Sequence, residues 1–337
     1  MLKYALTAFL VTASATAAHA DRTALQAACF PATVLASSPG ERVIQRNAGG
    51  RAAPPPVDGL AAARPIAENL RGAIRRVQLP VGQKLIALTF DFCELAGEIT
   101  GYDGAIIDYL RANSVKATLF AGGKWMTSHT ERSKQLIADP LFEIGTHGWA
   151  HQNTRLLTGA ALKTEVEAPS AAYQSIRNSL ARSQCAVPHQ AAFSLIPDRM
   201  TLFRFPFGSC HAEGLAAAAN AGLMAIQWDV STGDPAPSQS ARAIADAMIR
   251  QVRPGSIVLA HANGRGHHTA AALPLAIPKL RSMGYQFVTV SELLAAGQPV
   301  ITPTCYDSRP GDTDKYDFLF ASKRAPDAGS LKPTLPR

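Results

Sequence analysis

The sequence has no Cys-x-x-Cys pair, and that absence argues against a structural zinc knuckle. It has no basic stripe interleaved with aromatic residues, so its formal charge of +8 does not point to nucleic acid. The scattered positive charge is compatible with attraction to an anionic wall or membrane surface. Beyond the amino terminus no run is long and apolar enough to cross a bilayer. No internal repeat is present. Cysteine is sparse, and its count of five is odd, which leaves at least one thiol unless pairing is intermolecular. Two pairings suggest themselves: Cys29 with Cys305, tying the two tails together, and Cys185 with Cys210, closing a loop.

What is present is ample apolar material. Hydrophobic residues make up 47% of 337 positions, enough for one large domain with appendages. Residues 1–20 read as a secretory signal: Lys3 is the only charge, Tyr4 to Val11 is mostly apolar, and Ala18-His19-Ala20 is a small-x-small cleavage site. The chain is therefore expected to be exported, periplasmic or secreted, with no membrane span. Residues 21–82 read as an irregular arm, with the stiff break Ala53-Pro54-Pro55-Pro56 and a helix expected within Ala61 to Val77. Residues 298–337, rich in Pro, Asp, Ser and Lys, read as a polar, loosely ordered tail.

Between them, over 83–297, short apolar runs alternate with amphipathic stretches. Strands are expected at Leu85–Phe90, Ala117–Ala121, Phe142–Gly145, Leu202–Phe205, Met224–Trp228, Ser256–Ala260 and Gln286–Val290. Helices are expected between them, one of them over Thr158–Arg182 with a kink or break at Pro169. That alternation specifies an α/β fold with a parallel sheet, and about seven strands suit an incomplete, distorted (β/α) barrel. Active sites in such barrels gather at the carboxyl ends of the strands. Asp91, His147, Arg204, Asp229 and His261 each follow an apolar run.

His147 and His151 form an H-x-x-x-H pair, and Thr89-Phe90-Asp91 ends an earlier strand. Two imidazoles and a strand-end carboxylate are what a catalytic divalent metal requires. Taken in order, Thr89-Phe90-Asp91, His147-x-x-x-His151, Arg204-Phe205-Pro206-Phe207-Gly208, Trp228-Asp229 and Leu259-Ala260-His261 resemble the motifs of the polysaccharide deacetylases, carbohydrate esterase family four. The resemblance runs from about Lys84 to Ala296. It implies hydrolysis of an N-acetyl (less often O-acetyl) group on a glycan of peptidoglycan or chito-oligosaccharide type, with a divalent metal, Zn2+ being the first choice. It assigns Asp91 as general base, His147 and His151 as metal ligands, Arg204 as the clamp on the base and His261 as general acid. The resemblance also implies a backbone N–H from Phe207 toward the oxyanion, and Trp228 is expected in the core or the pocket wall. The underlying chemistry is consistent: a bound metal lowers the pKa of its water to about 7, and acid–base side chains add roughly 10²–10⁴-fold.

The sequence departs from the family at two places. The carboxylate that usually follows the base, a metal ligand, is replaced by Phe92, with Cys93 and Glu94 next. Glu94, a hard anionic donor, is the preferred third ligand. Asp103, the Cys93 thiolate, or a site of two histidines, Asp91 and water are the alternatives, and Cys93 reads first as a small buried residue. Ser231 stands where an acid usually partners the catalytic histidine, leaving Asp229 or Asp234 to substitute, and Pro235 replaces a pocket aromatic. Two rival readings follow: a non-catalytic glycan-binding relative, and a metal-dependent amidase or esterase on a non-sugar substrate. The sequence shows no recognisable sugar platform.

Overall fold

The computed structural model describes residues 20–46, 53–57 and 63–321; most of the expected signal segment lies outside them. The described residues form twelve strands: β1 (Gln45–Arg46), β2 (Ala73–Gln78), β3 (Leu85–Phe92), β4 (Glu98–Ile99), β5 (Ala117–Ala121), β6 (Phe142–Thr146), β7 (Leu202–Phe203), β8 (Met224–Ile226), β9 (Val230–Ser231), β10 (Ile257–His261), β11 (Gln286–Phe287) and β12 (Gln298–Thr302). The main sheet runs β12-β2-β8-β7-β6-β5-β3-β10-β9, with β11 beside the start of β3. Every pairing in it is parallel except β12 with β2. The sheet curls into a half-barrel with helices outside.

β3 is the axis of the fold. Its sequence, Leu-Ile-Ala-Leu-Thr-Phe-Asp-Phe, is buried at every position after Leu85, as a parallel strand covered on both faces should be. It also changes partner along its length. Leu85 and Ile86 pair with β11 on the edge that β5 takes from Thr89 onward, and the opposite edge pairs with β10 from Ala87, which sets His261 level with Asp91. Outer helices bury one stripe: Ala241–Gln251 turns Ile244, Ala245 and Met248 inward and is capped by Ser240, whose side chain accepts from Ala243 N–H.

Four expectations change. Ala73–Gln78, assigned to a helix, is strand β2. Its burial pattern is close to continuous, and isolated apolar spacing did not separate a short strand from a helix. The arm and the tail are both built into the sheet, since β12 begins at the expected tail boundary and pairs with β2. Pro169 lies inside one helix, Gly159–Ala181, without breaking it. The cysteines pair as Cys29–Cys185 and Cys210–Cys305, not as expected, and Cys93 is the buried free thiol. Sequence separation carries no information about which strand ends and helices approach, and here the arm meets the region after Gly159–Ala181 while the tail meets the loop after β7.

Candidate metal centre and catalytic site

The carboxyl ends of β3, β6 and β10 open into a cavity of about 510 Å³ lined by Asp91, Cys93, His147, His151, Trp228 and His261 among others. Cys93 follows β3 directly and stands two residues beyond Asp91, so the two side chains leave the same face of the chain while Phe92 points away. Phe92 is packed into the core 4.4 Å from the ring of Trp125. Cys93 Sγ and one nitrogen each of His147 and His151 lie within 4.8 Å of one another, all three side chains buried.

The two histidines are held by their surroundings. His147 Nδ1 lies 2.8 Å from the carbonyl oxygen of Arg204. A carbonyl only accepts, so Nδ1 carries the proton and Nε2 is left as a donor atom for a cation. His151 sits at φ 50°, and Gly148 between the histidines at φ 75°. A side chain in that left-handed region costs about 1 kcal/mol. Glu165, from the helix Gly159–Ala181, holds the turn: its carboxylate accepts from Ala150 N–H at 3.2 Å and Gln152 N–H at 2.9 Å. A Cβ at Gly148 would fall 2.5 Å from Glu165 Oε1, so only glycine fits there.

Asp91 faces the same space. Its Oδ1 accepts from Arg204 Nη1 at 2.7 Å, and its Oδ2 lies 3.4 Å from His147 Nε2. The fully buried Arg204 also donates to Thr89 Oγ1 at 2.7 Å and to the carbonyls of Ile226 and Gln227, and its guanidinium lies 4.0 Å from the Phe120 ring centroid. Burial lowers the Arg204 pKa, opposed by Asp91.

On the other wall His261 Nδ1 lies 2.9 Å from Asp234 Oδ1, and Asp234 Oδ2 accepts from His261 N–H at 2.8 Å and Thr269 Oγ1 at 2.6 Å. Burial would lower the His261 pKa, but Asp234 outweighs it and the imidazole is held well above its ordinary value. Burial likewise opposes ionisation of Cys93, and the neighbouring His151 and His147 reverse the balance, so its thiol lies well below the ordinary range. His147 is raised against its own burial by Asp91 and Cys93, whereas burial leaves His151 lowered.

Two assignments need correction. Glu94 is not brought to the histidines. It is fully buried in a separate cluster, bound by Lys124 Nζ at 2.7 Å, Ser128 Oγ and Thr100 N–H. Cys93 stands in the place given to Glu94, because alternation at the end of a strand turns adjacent residues to opposite sides. Asp229 does not partner His261. It sits at the amino end of β10, accepting from Ile257 N–H, Ser256 Oγ and Arg253 Nε, while Asp234 makes the contact. Asp103 stands at the start of Gly104–Ala112, 3.8 Å from Arg42, and Arg42 is its ion-pair partner. Phe207 and Trp228 do line the cavity. Phe207 adopts φ 61° and packs its ring edge-on, 4.3 Å from His151. Glu165, and the tail residues Asp307 and Tyr316 on the cavity wall, were not foreseen. Glu165 follows His151 by fourteen positions at an inward helical position, a faint signal, and nothing in the tail distinguished Tyr316.

This half-barrel with its strand-end histidines and carboxylates has counterparts among known proteins. Residues 78–226 match the family model described as polysaccharide deacetylase. The chain is 30% identical over 211 residues to the peptidoglycan-N-acetylglucosamine deacetylase PgdA of Listeria monocytogenes, covering 62% of this chain and 39% of that protein. It is 27% identical to a peptidoglycan-N-acetylglucosamine deacetylase of Bacillus cereus, covering 64% of this chain and 91% of that one. Among solved structures, a mutant of the Bacillus anthracis protein BA3943, described as a family-four pseudoenzyme with restored enzymatic activity, superposes with a TM-score of 0.54 at 25% identity, covering 66% of this chain and 71% of that one. Over residues 78–226 the chain is thus similar to the polysaccharide deacetylases, and its half-barrel is shared with solved structures of carbohydrate esterase family four.

Proposed function

We propose that this protein is an exported, metal-dependent deacetylase that hydrolyses the N-acetyl groups of a glycan of peptidoglycan or chito-oligosaccharide type, with zinc held by Cys93, His147 and His151. The observation that carries the reading is the convergence of the Asp91 carboxylate, the cluster of Cys93, His147 and His151, and the Asp234-paired His261 on one cavity. The donor set fits zinc. One thiolate and two imidazoles are borderline-soft ligands that leave a fourth position open, as a catalytic site requires. Tetrahedral ligand atoms at zinc bond lengths stand about 3.3–3.8 Å apart, so a small contraction of the cluster suffices. The two disulfides favour an oxidising compartment, and no helix among the described residues is long and apolar enough to cross a membrane.

A zinc ion bound there supplies Lewis acidity toward the acyl oxygen and makes hydroxide accessible near neutral pH. The chain does the rest. Asp91, fixed by Arg204, accepts the proton of the attacking water. The left-handed turn at Phe207 packs its ring against His151, and its backbone N–H is assigned to the developing oxyanion. His261, kept protonated by Asp234, delivers a proton to the departing nitrogen as the C–N bond breaks, giving acetate and a free amine on the sugar. Cys93 thus replaces the missing carboxylate with a different donor, and the substitution at Phe92 does not by itself remove the metal site.

The test is metal analysis of the purified protein together with acetate release from acetylated chito-oligosaccharides, peptidoglycan fragments and acetylated xylan. Stoichiometric zinc with release from a glycan supports the reading. Zinc without release from any substrate of the panel would leave a glycan-binding relative in its place.

A further inference from the structure

We infer that the segment from Cys305 to the helix Lys315–Ala321 is the sugar-recognition wall of this site, with Tyr316 as its stacking platform; the inference rests on the deacetylase reading. The segment is anchored at both ends. Cys305 is bonded to Cys210, three residues after the Phe207 turn. Arg75 donates to the carbonyls of Tyr306 and Asp307 and lays its guanidinium 3.7 Å over the Tyr306 ring. Trp228 Nε1 donates to Asp307 Oδ1 at 2.8 Å. At the far end, Asn153 Nδ2 donates to Asp317 Oδ1 at 2.7 Å, and Arg155 pairs with Asp314 at 2.9 Å and with Asp317. Of these anchors, Trp228 lines the cavity and Asn153 and Arg155 belong to the turn that follows His151, so the tail is fastened to the walls around the site.

The segment presents an aromatic face. Tyr316 is half-buried on the cavity wall, its ring 5.2 Å from that of Phe207, and Phe207 lies 4.3 Å from His151. Two rings thus lead from a metal ligand toward the mouth. The tryptophans of the region offer no such face, since Trp149 and Trp228 are each only 4% exposed. An amphipathic ring with an apolar body and a polar tip suits the C–H face of a pyranose bordered by hydroxyls. A cavity of about 510 Å³ far exceeds what an acetamide group fills, and it falls in the range that encloses ligands of sugar size. A wall of this kind distinguishes a glycan from a small non-sugar amide.

The experiment compares wild type with Tyr316→Ala, Tyr316→Phe and Phe318→Ala. Phe318 lies on the same helix, is 77% exposed, and does not line the cavity. Acetate release and calorimetric binding are both measured with a β-1,4-linked N-acetylglucosamine pentamer. Tyr316→Ala is expected to raise KM about tenfold with kcat within about twofold, and to weaken binding about tenfold, the scale of one lost aromatic contact. Tyr316→Phe keeps the ring and stays within about twofold, and Phe318→Ala matches wild type. Unchanged KM and affinity in Tyr316→Ala, or an equal loss in Phe318→Ala, overturns the platform. If wild type releases no acetate the deacetylase reading fails, and calorimetry still decides: weaker binding by Tyr316→Ala supports the platform, equal or undetectable binding by all four proteins refutes it.

Discussion

Replacing Asp234 by Asn tests the division of labour between the two walls of the site. Asp234 satisfies three donors with two oxygens: His261 N–H, His261 Nδ1–H and Thr269 Oγ1–H. Asparagine keeps one oxygen and turns an NH2 toward the remaining partners, so either the Nδ1–H contact is lost or the imidazole adopts the wrong tautomer. The charge that does most to hold the His261 pKa above its ordinary value also disappears, leaving the smaller pull of Cys93 against burial, so the pKa falls. A smaller share of the acid is then protonated at a given pH. Turnover should fall by roughly 10²–10³-fold, within the range attributed to a positioned acid. The pH profile carries the sign. In wild type His261 works while protonated, so activity is retained until the pH rises through its elevated pKa; in Asp234→Asn the falling limb moves to lower pH. Metal content should not change, because Asp234 is absent from the ligand cluster. The assay is acetate release from pH 5 to 10, alongside elemental analysis and circular dichroism. A folded variant with turnover within about threefold of wild type, or one that has lost its metal, would refute the assignment.

Cys93→Ala should lose most bound zinc, and in wild type a thiol-alkylating probe should label Cys93 after chelation and fail to do so once zinc is restored. Glu94→Ala should keep its zinc yet lose about 3–5 kcal/mol of stability in urea titration, because Lys124, 3% exposed, is left as an uncompensated buried charge. Glu165, whose pKa burial raises from 4.5 to about 7, binds its proton more tightly folded than unfolded. Its contribution is therefore complete below pH 4.5 and is lost as pH rises toward 7, a fall of up to about 3 kcal/mol that Glu165→Gln should abolish in denaturation measured across that window.

The barrel was legible because a buried parallel strand has a simple signature. Ala117–Ala121 was bounded correctly at both ends, and β3, β6 and β10 within a residue or two. Asp91, His147, Arg204 and His261 fell at strand ends, where the fold itself dictates convergence. What failed was the direction of side chains in turns. Glu94 and Cys93 are neighbours in sequence, and only the two-residue periodicity of β3, continued one step past Phe92, tells which of them accompanies Asp91. Asp229 and Asp234 lie at opposite ends of β10, a distinction that depends on where the β9 crossover begins. The tail was misread because polar composition describes what a segment exposes, not the few residues with which it is fastened.

The two covalent loops divide the active centre along the chain. The bridge from Cys29 to Cys185 encircles Asp91, Cys93, His147 and His151, and the bridge from Cys210 to Cys305 encircles Asp234 and His261. The loops follow one another without overlap, and each removes about 5 kcal/mol worth of freedom from the unfolded chain at separations of 156 and 95 residues. The residues proposed to capture the cation and to deliver the proton are thus tethered independently, and Arg204 stands in the unbridged interval, joining the two halves through its grip on Asp91.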